Sequence, residues 1–303
     1  MGPEINCFTS IIIFTLTKPH IAGTHKKASK TFAFACHETF PSASCLYLDI
    51  AMENIQVAVI MPQPACNMFC SFCVTENNFD TMTYEQGNAL LEYLRGINVS
   101  NVVVGGGEPF YWEHLTAFCR HAKYLGFLVQ AGTNATLLPV GFEYSDIIDR
   151  FVIPLEAANE DIHNSMRFAP PSHYKTIMDC LAKLKTAKKS VTISTVITRA
   201  NINAVPDLAE FLRTYNEGSG HLHAWHLYKF IPKGRGGASN AESLSVSLDE
   251  YEAIFARVKS ARLPFKVFKR GDMYKSKTVA FFSYQNGKIC SSEDIKQNEG
   301  NPC

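Results

Sequence analysis

An α/β fold of parallel strands is the architecture this sequence predicts, and three observations carry it. Apolar strand-like runs alternate with amphipathic helical stretches in six βα units between Ile55 and Ser260. The unusual, chemistry-bearing residues fall just after those runs. The composition, 46% hydrophobic and 19% charged over 303 residues, is that of an ordinary globular chain able to bury a large core. Alternation of this kind implies parallel strands joined by right-handed helical crossovers. Six units make an open twisted sheet or an incomplete barrel, and both place functional groups at the carboxyl ends of the strands.

The elements follow in order. Ile55–Met61 is a short apolar strand, and Tyr84–Gly96 a helix with Leu90, Leu91 and Leu94 on one face. Asn101–Val104 is a buried strand ending in three glycines, followed by a helix over Trp112–Leu125 and a strand over Phe127–Ala131. A short helix over Tyr144–Asp149 leads to a strand over Arg150–Leu155. Tyr174–Lys189 is amphipathic, with Tyr174, Ile177, Met178, Leu181 and Leu184 at helical spacing and Lys183, Lys185, Lys188 and Lys189 on a solvated face. Strands over Val191–Ile197 and Ala224–Ile231 alternate with helices over Ala204–Tyr215 and Leu248–Ser260. Asn286-Gly287 between two short apolar runs signals a hairpin. Residues 1–51 show no sustained period and are expected to be a leader, disordered or begun at a start site placed too early. The core then runs over 52–237, and 238–303 forms a C-terminal extension on the substrate side that includes the hairpin.

The net charge of +1 supplies no field that would draw nucleic acid or a membrane surface. The run Ile11–Phe14 is too short to span a bilayer and lacks the basic flank of a signal peptide. Of ten cysteines, three crowd within eight residues. Without a secretory signal that pattern points to metal binding in a reducing cytosol, hence a cytoplasmic protein.

The crowded cysteines are Cys66, Cys70 and Cys73, directly after the first strand. Thiolates are soft ligands that favour iron–sulfur clusters or zinc. Three at this spacing hold three corners of a [4Fe-4S] cube, and the absence of a fourth nearby leaves one iron open, the mark of a reactive site. A zinc knuckle would want a histidine a few residues on, and the next is His114. Cys-x3-Cys-x2-Cys with an aromatic residue, Phe72, before the last cysteine resembles the signature of radical S-adenosylmethionine (SAM) enzymes. The resemblance extends from about Ile55 to Ile231 and implies a partial (β/α)6 barrel, TIM-barrel-like, with SAM chelated to the open iron. It also implies reductive cleavage of SAM to methionine and a 5′-deoxyadenosyl radical that abstracts hydrogen from a substrate, with the electron supplied by a donor such as flavodoxin or ferredoxin.

Further motifs support it. Gly105-Gly106-Gly107-Glu108-Pro109 ends the second strand and matches the family's Gly-Gly-Glu-Pro, which implies binding of the SAM amino group. Thr133-Asn134 follows the third strand where the family often has Thr-Asn-Gly; Ala135 replaces the glycine. After the fourth strand come Glu156, His163 and Arg167; the resemblance puts Glu156 near the ribose and gives Arg167 the SAM carboxylate. The resemblance makes Ser194 in the fifth strand a further candidate SAM contact, with a strand serine satisfied by the backbone as the alternative. The sixth strand leads into Pro232–Gly237, and Lys229 and Arg235 are candidates for substrate contact. Alternation places Trp225, Leu227, Lys229 and Ile231 on one face, while His221, His223 and His226 read as ordinary strand histidines. Cys290 and Cys303 are too few for a second cluster.

The substrate expected is a small molecule or nucleotide, with neither nucleic acid nor membrane as partner. Among subfamilies the resemblance is nearest to viperin-like nucleotide dehydratases, although Val74-Thr75 departs from their pattern. A peptide- or enzyme-modifying radical SAM protein and a non-catalytic iron–sulfur protein are the rival readings. Glu108 and Arg167 weigh against the last, because a bare cluster needs neither.

Overall fold

The computed structural model describes residues 54–218, 221–273 and 276–292. The expected leader lies outside the described residues. The strands are β1 (Val57–Ile60), β2 (Phe69–Cys70), β3 (Asn101–Val104), β4 (Leu128–Gly132), β5 (Arg150–Pro154), β6 (Arg167–Phe168), β7 (Ser190–Ile197), β8 (Leu222–Lys229), β9 (Lys266–Arg270), β10 (Val279–Gln285) and β11 (Lys288–Ser291). The helices are α1 (Tyr84–Gly96), α2 (Leu115–Tyr124), α3 (Glu160–Met166), α4 (His173–Thr186), α5 (Val205–Asn216), the short α6 (Gly234–Gly237) and α7 (Ala241–Leu244), and α8 (Leu248–Ser260).

Nine strands form one sheet in the order β11-β10-β1-β3-β4-β5-β7-β8-β9, parallel throughout except for β11. The six expected strands are its centre, as a partial barrel requires. The segment expected as an extension supplies both flanks: β9 adds to β8, and β10 adds in parallel to β1. The hairpin turn is where Asn286-Gly287 predicts it, with both residues at positive φ (49° and 85°).

Local chemistry sets the helix starts. Thr83 and Gln86 form a capping box on α1, and Ser247 and Glu250 form another on α8. Leu90, Leu91 and Leu94 of α1 are fully buried against the sheet, each worth roughly 1.5–3 kcal/mol of apolar burial. One crossover differs from expectation. Instead of a helix over 144–149, β4 and β5 are joined by a single 3₁₀ turn, Phe142–Tyr144. Ser145 turns to extended backbone at ψ 135°, and Lys189 Nζ donates to the carbonyls of Ser145 and Ile148 in place of a helical ladder.

Register defines the concave face. Pro154, Ser194, His226 and Phe268 lie side by side across β5, β7, β8 and β9, and Val196, Tyr228 and Arg270 form the next row. The inward face of β8 is therefore the His226–Tyr228 face. Trp225 and Leu227, expected to share a face with the substrate lysine, are fully buried in the core, and Trp225 Nε1 donates to Thr195 Oγ1 at 2.9 Å. Alternation gives two faces but does not say which one is concave.

Candidate functional site

A cavity of about 290 Å³ opens at the carboxyl ends of the central strands. Cys66, Cys70, Phe72, Cys73, Gly106, Gly107, Thr133, Asn134, Arg167, Ser194, Lys229 and Arg235 all line it. Gly105, Glu108, Pro109 and Glu156, also singled out from the sequence, are not among the lining residues; the last three are buried.

The cysteine loop leaves β1 and is pinned on three sides. β2 pairs with β6, which sets Cys70 opposite Arg167. Arg167 Nη1 lies 3.4 Å from Cys70 Sγ, and its guanidinium stacks 4.8 Å from the Phe72 ring centroid. Asn134 Nδ2 donates to Asn67 Oδ1 at 2.9 Å and reaches Cys66 Sγ at 3.8 Å. Burial raises the Cys70 thiol pKa despite the opposing guanidinium. The three thiols line one cavity, yet no three Cys, His, Asp or Glu groups among the described residues are grouped as a single metal ion would need. Soft donors spread round a cavity fit a multi-iron cluster better than one zinc ion.

The Gly105–Glu108 turn backs onto that loop. A Cβ on Gly107 would stand 1.9 Å from Ala65 O, so the close approach here is made by the protein's own backbone. Glu108 N donates to Ala65 O at 2.8 Å, and Gln63 Nε2 donates to Glu108 O at 2.7 Å. The Glu108 carboxylate accepts from Thr133 Oγ1 (2.7 Å), Asn134 N (2.8 Å) and Phe110 N (3.3 Å). Burial raises its pKa and these donors oppose the shift. Ala135 takes φ 65°, in the left-handed region that glycine adopts without steric cost.

Glu156 is fully buried and accepts from Arg167 Nε at 2.6 Å and Val196 N at 2.7 Å. Burial lowers the Arg167 pKa, but Glu156 and Cys70 outweigh it, so the guanidinium stays charged. His163 Nδ1 accepts from Glu156 N at 3.1 Å, and His173 Nε2 lies 2.9 Å from Asn134 O. Asn201 Nδ2 donates to Glu156 O at 2.9 Å and Val196 O at 3.0 Å.

Toward β8 the wall changes character. Tyr228 lies inward with its hydroxyl 3.4 Å from His226 Nδ1. Burial, then Arg270, His223 and Arg150, hold the His226 pKa down to about 3, so it is neutral. Lys229 lines the cavity, and its side chain has no ion-pair or hydrogen-bond partner among the described residues. Arg235, by contrast, donates through Nη1 to Pro64 O at 3.0 Å and Asn77 Oδ1 at 3.1 Å. No Asp or Glu among the described residues lines the cavity. His173, Gln63 and Tyr228 were not anticipated. An inward reading of the even positions of β8 would have found Tyr228; nothing local marks the other two.

Comparison with known proteins agrees with this geometry. The radical SAM superfamily model matches residues 60–212, half of the chain, and the chain belongs to that superfamily. The AdoMet-dependent heme synthase of Methanosarcina barkeri (strain Fusaro / DSM 804) is 24% identical over 213 residues, covering 68% of this chain and 58% of its own. Streptococcus suis SuiB shares the fold with TM-score 0.63 at 13% identity, over 82% of this chain and 62% of its own. The anSMEcpe structure with bound AdoMet gives TM-score 0.54 at 15% identity, over 70% and 63%. The chain thus spans less than two thirds of the length of each. No helix among the described residues is long and apolar enough to cross a membrane.

Proposed function

We propose that the cavity binds a [4Fe-4S] cluster on Cys66, Cys70 and Cys73 together with SAM, and that a hydrogen-bearing anionic substrate approaches from the Lys229 side. The observation that carries this reading is the convergence of three thiols, a caged arginine and the Gly106-Gly107 turn on one cavity. When bound, cluster and SAM supply a 5′-deoxyadenosyl radical that takes a hydrogen atom from the substrate.

The chain's own residues bind, orient and shield. Glu156 fixes Arg167 in a single orientation, leaving Nη2 for the SAM carboxylate while Nη1 faces Cys70. Glu108, buried behind the wall and held by Thr133 and Asn134, fixes the shape of the Gly105–Pro109 turn, whose Gly106 and Gly107 backbone lines the cavity to receive the SAM ammonium. Ser194 has no side-chain partner among the described residues and lines the wall, as a contact to SAM requires. Phe72 covers Arg167 and keeps water from it. An external donor of the ferredoxin or flavodoxin kind would supply the electron.

Lys229 is the cavity's uncompensated cation, and an ammonium in a wall without carboxylates selects an anion, a nucleotide phosphate included. Arg235 contributes less to this lip than Lys229, because its guanidinium is committed to Pro64 and Asn77. The test is anaerobic: reconstituted, reduced protein with SAM, scored for 5′-deoxyadenosine over nucleotides, other phosphorylated compounds and peptides. Lys229→Ala should raise the substrate requirement at constant SAM affinity and uncouple cleavage from product formation. Tight zinc in place of iron and sulfide would sink the cluster, and stimulation by peptide alone would sink the anionic small molecule.

A further inference from the structure

The glycine-rich run after β8 has the composition of a plain loop, yet it lies on the cysteine loop and meets its carbonyls one after another. Arg235 N donates to Thr75 O, and Gly236 N and Gly237 N both donate to Cys73 O, each at 3.1 Å. Asn240 Nδ2 donates to Ser71 O at 3.0 Å, and the Arg235 guanidinium takes Pro64 O at the other end. The contact is made through bare backbone. A Cβ on Gly236 would fall 2.2 Å from Cys70 O and 2.9 Å from Cys73 N, and one on Gly234 would fall 2.3 Å from Val74 O. Gly234 also sits at φ 76°, in the left-handed region.

Loop carbonyls withdrawn from water need donors, and an irregular loop cannot supply its own. From this geometry we infer that Gly234–Asn240 is a backbone clamp that holds Cys70 and Cys73 in their cluster-accepting arrangement before any iron arrives. Gly234, Gly236, Gly237 and Asn240 are thus positioning residues. Because the clamp begins five residues beyond Lys229, the segment that secures the metal loop follows directly on strand β8, which ends at Lys229. The inference rests on the reading of the three cysteines as cluster ligands, and its test separates the two.

The metal-free full-length chain is examined first, by amide hydrogen exchange over residues 64–75. Gly236→Ala and Asn240→Ala should each speed exchange in that loop about tenfold, the equivalent of one or two net hydrogen bonds. Gly96→Ala, whose added methyl meets nothing within 4 Å, should exchange as the parent does. Reconstituted samples are then challenged with EDTA, and both clamp variants should lose iron at least about threefold faster than the parent. Parental exchange in both clamp variants overturns the clamp. Should Gly236→Ala fail to fold, Asn240→Ala, which adds no atoms, decides alone. Faster exchange in both clamp variants, with a parent that never takes up iron, would retain the clamp's hold on the loop and refute its cluster role together with the cysteine reading.

Discussion

His163 and His173 stack with ring centroids 5.0 Å apart and share a single 2.8 Å hydrogen bond between Nε2 of the first and Nδ1 of the second. Their neighbours fix both tautomers. His163 Nδ1 must accept from Glu156 N–H, so its Nε2 carries the proton toward His173, whose own Nε2–H then donates to Asn134 O. A neutral wire thus joins the backbone of the Glu156 turn to that of the Asn134 turn.

That wire sets a pH dependence. Burial, with Arg167 next, lowers the His173 pKa to about 4 and the His163 pKa to about 2. The unfolded chain protonates these side chains near pH 6.5, before the native state does, so acid favours unfolding. Stability should be level above about pH 7 and fall as pH drops from about 6.5 to about 4, by up to about 1.4 kcal/mol per unit for each histidine. Urea unfolding of the parent and His173→Gln at pH 7.5 and 5.0 checks this. The variant should show the shallower loss, and equal slopes would remove His173 from the account.

Glu156→Gln leaves the Arg167 guanidinium buried beside a neutral amide. Breaking a buried pair from one side costs roughly 3–5 kcal/mol, so the urea midpoint should fall sharply at unchanged m-value. A shift under about 1 kcal/mol would mean that water already solvates Arg167.

Ala135→Gly relieves a left-handed residue of its Cβ. The variant should be more stable by about 0.5–1 kcal/mol, since the relief of steric strain exceeds the added chain entropy of glycine. Thermal unfolding reads it directly, and a lower Tm would show that packing of the buried methyl outweighs the strain.

Cys66→Ala, Cys70→Ala and Cys73→Ala should each abolish the roughly four irons of a reconstituted cluster. Cys119→Ala and Cys180→Ala should retain them. Both of those thiols are buried in helices α2 and α4, and burial pushes their pKa up to about 12, far from the thiolate that metal requires.

What was legible in the sequence was local. Six central strands announced themselves as apolar runs, and the cysteines and Gly105–Pro109 as motifs, because short spacing alone brings those groups together. β9 escaped notice because Lys266, Lys269 and Arg270 break its apolar pattern at the sheet edge. His173 was hidden because its partner lies ten residues away across a turn, and its burial depends on how α3 and α4 pack. The partners of Arg235 were hidden for a related reason. A cation in a glycine-rich loop signals a ligand only if no backbone carbonyl claims it first, and Pro64 lies 171 positions away in the chain.

The pairing of β10 with β1 has a consequence for biosynthesis. Val57 meets Val279, so the strand made first waits for one made some two hundred residues later. At 5–20 residues per second, that wait lasts roughly ten seconds or more on the ribosome. Throughout it, β1 presents an unpaired parallel edge, the kind of template that recruits stray strands. The nascent chain therefore carries its greatest hazard of misassociation while the cysteine loop, directly downstream of β1, is already outside the tunnel. Iron delivered to that loop before the last strands arrive would meet a sheet still open on the side where synthesis has yet to finish.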